Sequence, residues 1–174
     1  LPAILPYSHV SADLYSFQIQ KEITKMSIKV MEMFDCITNT LTNEKNIEEE
    51  NKTVNAIENY VDEMNIAITG FLQKCSRLPT ANSTDRNNFA RLIQITDNLE
   101  NLSDECSSIM HTIGKFFSAY DDSDKDIKPK RTKEISDYLE MVRIFYEQIC
   151  IYLSTGISSE ERLNAEIIEQ KIDD

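Results

Sequence analysis

A chain of 174 residues is long enough to bury one substantial core. With only three glycines and four prolines against 41% apolar residues, it reads as long helices with few interruptions. The formal charge of −12 argues against nucleic acid, whose phosphates need clustered lysine and arginine, and against docking on an anionic membrane; cations are the favoured ligands.

The chain opens on Leu1-Pro2-Ala3-Ile4-Leu5-Pro6 rather than Met, so residues 1–11 are expected to form an extended leader of an excised or processed polypeptide. From there Leu14, Phe17, Ile23, Met26, Val30, Met33, Phe34, Ile37 and Leu41 recur at helical spacing, which predicts helix one over 12–42. Asn43 stops it, and Asn46 with Glu49 three residues on is expected to cap the next helix. Helix two carries Ile47, Val54, Ile57, Val61, Met64, Ile68 and Phe71 and breaks at Leu78-Pro79. Helix three runs from Ser83 or Thr84 through Phe89, Leu99, Leu102, Ile109 and Phe117 to Tyr120.

Residues 121–131 read as a charged linker, with acids from Asp121 to Asp126 and bases from Lys128 to Arg131. Asp122, Asp124 and Asp126 resemble the start of an EF-hand, but Ile127 stands where the turn needs Gly and Lys133 where a bidentate Glu is required. Helix four is predicted over 132–154, with Ile135, Leu139, Val142, Ile149 and Leu153 on its apolar face. Gly156 ends it, and Ser158 with Glu161 forms a capping box for helix five, which is still running at Asp174.

Helix four repeats helix one at an offset of 112 residues: Lys21-Glu22-Ile23 falls on Lys133-Glu134-Ile135, Val30 on Val142, Ile37 on Ile149 and Leu41 on Leu153. Past the connecting loop, Ile57-Glu58 to Glu63 falls on Ile168-Glu169 to Asp174, so helix five begins as a copy of helix two. The fold is therefore expected to be an all-α antiparallel bundle, with a complete three-helix unit over 12–120 and an incomplete second one over 132–174. An incomplete unit leaves a hairpin needing a neighbour, so a homodimer is also expected.

Three Glu-x-x-x-Asp pairs stand out: Glu58 with Asp62, Glu100 with Asp104, and Glu169 with Asp173. Each puts two carboxylates on one helix face, about 5–6 Å apart at Cβ, and antiparallel neighbours could bring four together. Composition alone predicts about one such pair by chance, and charged pairs usually sit on solvated faces. Placement raises the motif, since two of the three pairs occupy equivalent repeat positions. Such a row calls for a cation, and all-oxygen ligation suits Mg²⁺, Ca²⁺, Mn²⁺ or iron. Cys106, two residues from Asp104, points away from that face.

Glu58-x-x-x-Asp62 in helix two, the run Glu100-Asn101-Leu102-Ser103-Asp104-Glu105-Cys106 in helix three, and the repeated hairpin together resemble the PhoU family. The resemblance covers the chain from Leu14 onward and looks closest to the domain that trails the membrane segment of bacterial sodium/phosphate symporters. Where the family pattern has Arg-Ile-Gly, this chain has Asn101-Leu102-Ser103. The resemblance implies a regulatory, non-enzymatic domain on the cytoplasmic face of the inner membrane that modulates phosphate uptake. Its partner would be an upstream transmembrane transporter domain, with Glu58, Asp62, Glu100, Asp104, Glu169 and Asp173 as metal ligands for iron, zinc, magnesium or manganese.

The alternative is a secreted four-helix cytokine, which fits the missing Met, the widely spaced Cys36, Cys75, Cys106 and Cys150, and the acceptor patterns at Asn51, Asn82 and Asn101. Such bundles need long crossovers and no duplicated hairpin, and the cysteines read as buried thiols. A ferritin-type di-metal enzyme is disfavoured because Ser108 stands three residues before His111, where that motif needs Glu. His9 and His111 have no partner set for acid–base chemistry. The faces bearing Met26, Met31, Met33 and Met64 read as ordinary core.

Overall fold

The structure is a computed structural model that describes residues 12–43, 46–119, 127–156 and 159–173. The leader, the acidic stretch 121–126 with its EF-hand-like aspartates, and the Ser158 cap lie outside the described residues. Five helices follow in chain order: α1 (Ala12–Thr42), α2 (Ile47–Ser76), α3 (Ser83–Ala119), α4 (Ile127–Thr155) and α5 (Ser159–Asp173). Among the described residues there is no strand, and no helix is long and apolar enough to cross a membrane.

α1, α2 and α3 pack mutually around one core. Tyr15 meets Phe71 edge to face at 5.4 Å while Asn39 bonds Glu50 at the other end, so α1 and α2 run antiparallel. Ser103 bonds Met33 and Thr40 bonds Met110, at the same separation in sequence, so α3 returns parallel to α1. Ser103 is fully buried with its hydroxyl 3.4 Å from the Met33 sulfur.

The core stripe of α1 is Tyr15, Ile19, Ile23, Met26, Val30, Met33 and Ile37. Phe17 does not belong to it: two residues from both Tyr15 and Ile19 it points outward, 54% exposed, with the Lys21 ammonium 4.4 Å from its ring centroid. Met26, Met33 and Met64 are core residues. Cys36, Cys75 and Cys106 are buried, and all four cysteines are free thiols.

The helix ends differ from expectation in two places. Asn46 precedes α2 but is itself helical and makes no side-chain cap; its N–H instead bonds the Asn43 carbonyl at 3.0 Å. The true capping box opens α3, where Asn82 and Asp85 exchange backbone-to-side-chain bonds of 2.9 Å in both directions. α4 begins at Ile127 rather than 132. Pro129 falls in its first turn, where no N–H donor is required, so it starts the helix instead of delaying it. Gly156, at φ +82°, closes α4 as expected from sequence.

α4 lies against α1, and α5 against α4. The α1–α4 seam is antiparallel, since Ser27 meets Tyr146 and Cys150 while Asp35 meets Arg143. At its centre Phe34 packs on Tyr146 at 5.4 Å. Those two positions are repeat equivalents, 112 residues apart. The seam is therefore an antiparallel contact with an approximate twofold relation between positions that the sequence offset aligns. The Tyr146 hydroxyl donates to the Ser27 carbonyl at 2.9 Å in a buried position.

Two substitutions separate the core from the seam. Ser103→Leu over-packs the α1–α3 contact and is expected to cost about 1–3 kcal/mol in urea unfolding. Tyr146→Phe removes one buried hydrogen bond and is expected to cost about 1 kcal/mol. Hydrogen exchange should show the second loss in α4 and α5 while α2 and α3 keep their protection.

Candidate metal centre

α2 buries Val54, Ile57, Val61, Met64 and Ile68, and α3 buries Thr96, Leu99, Ser103, Cys106 and Met110. Glu58 and Asp62 each follow a buried α2 residue by one position, and Glu100 and Asp104 each follow a buried α3 residue by one. The same one-residue step off both stripes puts both pairs on one edge of the α2–α3 contact. Ligand oxygens of Glu58, Asp62 and Asp104 lie within 4.8 Å of one another.

Glu58, Asp62 and Glu100 are half-buried, and Asp104 is open to solvent. Asp62 Oδ1 is buried and has no hydrogen-bond partner among the described residues. Among the described residues, no lysine or arginine pairs with any of the four. Desolvation, then the charges of Asp62 and Asp104, push the Glu58 carboxyl above the ordinary range. Desolvation and the charges of Asp104, Asp62, Asp97 and Glu58 do the same to Glu100. Glu58 and Glu100 thus feel the charges of Asp62 and Asp104 across two helices, although Glu100 is not among the three residues whose ligand oxygens converge.

The donor set fits a hard cation. An orphaned buried carboxylate oxygen and like charges with no base opposite are relieved by a divalent or ferric ion, and exposed Asp104 leaves room for coordinated water. With no His or Cys among the ligand atoms, the site suits Mg²⁺, Mn²⁺, Ca²⁺ or iron better than structural zinc. Cys106 belongs to the core, where burial pushes its thiol up to about 12.

The third pair does not join this cluster. Glu169 is exposed on α5, which packs on α4, and the Asp173 side chain lies outside the described residues. Asp97 was missed by the Glu-x-x-x-Asp template. It stands three residues before Glu100, half-buried, and its charge reaches that carboxyl. The spacing i, i−3 on the same face is the signal that finds it. His111 is exposed on α3 beside Glu48 and Lys115, apart from the carboxylates.

No family model, curated protein or solved structure matches the chain.

Because Glu58 and Glu100 hold their protons more tightly when folded, the stability they favour is present below the ordinary carboxylate range and is lost as pH rises through their folded values. Glu58→Gln removes that penalty. In cation-free buffer it is expected to stabilise the protein at pH 7 by a few tenths of a kcal/mol and to flatten the wild-type rise in stability from pH 7 to pH 5. Urea midpoints across that range measure it, and parallel profiles for the two proteins would contradict the assigned charge repulsion.

Proposed function

We propose that this chain is a PhoU-like regulatory domain of a sodium/phosphate cotransporter, and that its α2–α3 carboxylate cluster binds a divalent or ferric cation. The observation that carries the reading is the convergence of Glu58, Asp62 and Asp104 from facing helices around an unpartnered Asp62 oxygen, with Glu100 outside that ligand group but close enough to feel its charges. These residues belong to the motifs on which the sequence resemblance rests. The up-down-up order of α1 to α3 and the antiparallel seam between aligned positions support a duplicated helical unit over the long crossovers of a secreted four-helix bundle.

The role is regulatory rather than catalytic. A cation between α2 and α3 ties two helices of one core together and removes repulsion that otherwise opposes their approach, so occupancy changes how firmly that edge is held. The partner is a transporter segment on the cytoplasmic face of the membrane, toward which helix–helix contacts carry the change. Phosphate uptake is the quantity regulated.

Binding has a direct readout. Mn²⁺ at 100 times its dissociation constant is expected to stabilise the fold by about 2.7 kcal/mol, and Asp62→Asn should abolish most of that gain. Equal stabilisation of both proteins, or none of either, contradicts the cation site. In cells, Asp62→Asn with Asp104→Asn in the intact gene is expected to change the rate of radiolabelled phosphate uptake without removing the protein from the membrane fraction. Unchanged uptake contradicts the regulatory role.

A further inference from the structure

The α1–α4 seam ends in two recesses, one at each extremity. The first, of about 340 Å³, lies between the start of α1 and the end of α4. The second, of about 460 Å³, lies between the end of α1 and the start of α4, with Phe117 of α3 beside it. Moving by the repeat offset of 112 residues carries every lining residue of the first onto a lining residue of the second. Lys21 becomes Lys133, Thr24 becomes Ser136, and Leu153 and Ser154 correspond to Leu41 and Thr42. The recesses occupy equivalent places along the repeated helix, with these four pairs alike and Lys25 replaced by Asp137.

What survived duplication there is informative. Across the repeated helix, buried Ile23, Val30 and Ile37 reappear unchanged as Ile135, Val142 and Ile149, as core packing requires. Other seam positions diverged freely: Ser27 faces Leu139 in the alignment, Glu32 faces Ile144 and Met26 faces Tyr138. Exposed positions with no job should diverge in the same way. Yet exposed Lys21 and Lys133 are identical, and hydroxyls stand at both 24 and 136 and at both 42 and 154. Packing explains the kept isoleucines but not an exposed lysine beside paired hydroxyls.

The chemistry of those kept groups is that of oxyanion recognition. Only Lys21 and Lys133 are equivalent; Lys25 adds a second ammonium to the first recess and Lys128 one to the second, where Asp137 also adds a carboxylate in place of Lys25. Lys25 pairs with Glu22 at 2.8 Å and Lys133 with Asp137 at 2.6 Å, but these surface pairs are screened and weak, so a multiply charged oxyanion competes for the same ammonium. Thr24 and Thr42 at present donate to carbonyls of their own helices, and rotating such an exposed hydroxyl outward leaves those carbonyls their main-chain partners. Leucine and phenylalanine side chains give an apolar floor, and the volumes exceed that of a bare ion.

We infer that the two ends of the α1–α4 seam are twin sites for a small organic oxyanion, such as a phosphate ester, held by Lys21 in one and Lys133 in the other. The inference rests on the repeat and the recesses and is independent of the cation reading, since neither lysine touches the α2–α3 cluster.

The test is amide NMR of the full chain titrated with inorganic phosphate and with phenyl phosphate, against sodium chloride at matched ionic strength. Saturable shifts are expected around Thr24 and Ser154 and around Thr42 and Ser136, with phenyl phosphate the tighter probe. Lys21→Gln should weaken the first set at least tenfold and leave the second, while Lys133→Gln should do the reverse. The untouched end then reports that each variant is folded. Shifts that chloride reproduces, or that survive both substitutions, overturn the site; saturation at one end only overturns its twinning.

Discussion

Like charges held at short range between α2 and α3 are the constraint around which this molecule is arranged. Burial of Ile57 and Val61 on α2 and of Leu99 and Ser103 on α3 holds these helices in one core, and residues one step further along each helix, Glu58, Asp62 and Asp104, are drawn together. The apolar interface is strong enough to impose this proximity, since burying each large aliphatic side chain contributes roughly 1.5–3 kcal/mol whereas an exposed like-charge pair costs a few tenths. The helices cannot move apart to relieve the repulsion without opening the core. Desolvation and these neighbouring charges make the Glu58 and Glu100 carboxyls hold their protons more tightly, and a cation would relieve the same repulsion.

A second relation organises the rest. α4 packs antiparallel on α1, with Phe34 against Tyr146, two positions that the sequence offset of 112 aligns. One copy, α1, is enclosed by α2 and α3, so Met26 and Met33 are wholly buried. The other, α4, has α1 and α5 as neighbours, and Tyr138, the counterpart of Met26, is 51% exposed. The same pattern of residues thus yields a tight unit and a looser one, joined through Arg143–Asp35 and the Tyr146 hydroxyl. Energetic coupling between the two units has to cross this seam.

Much of this was legible in the residues. Helical periodicity predicts the five helices found among the described residues, because apolar positions three and four apart share one face of a helix, and the sequence offset aligns α4 with α1. What periodicity cannot resolve is which of two nearby apolar residues faces inward. Phe17 and Tyr15 are both apolar enough, and only the neighbouring Phe71 selects Tyr15. Start signals were ambiguous for a related reason: Asn46 and Pro129 each fit two local roles, and the first turn of the helix decides between them. For the candidate site, pair spacing found the four carboxylates of α2 and α3 but could not show that the pair on α5 stands apart, which depends on tertiary placement. Asp97 escaped because its spacing to Glu100 is three rather than four.

The central claim is that the α2–α3 edge is built to hold a cation. Crystals of the protein soaked in Mn²⁺ and measured at the manganese absorption edge test it most directly. The account predicts one dominant anomalous peak within coordination distance of Glu58, Asp62 and Asp104. A clean map with no peak there, or a dominant peak at another acidic surface, would contradict it.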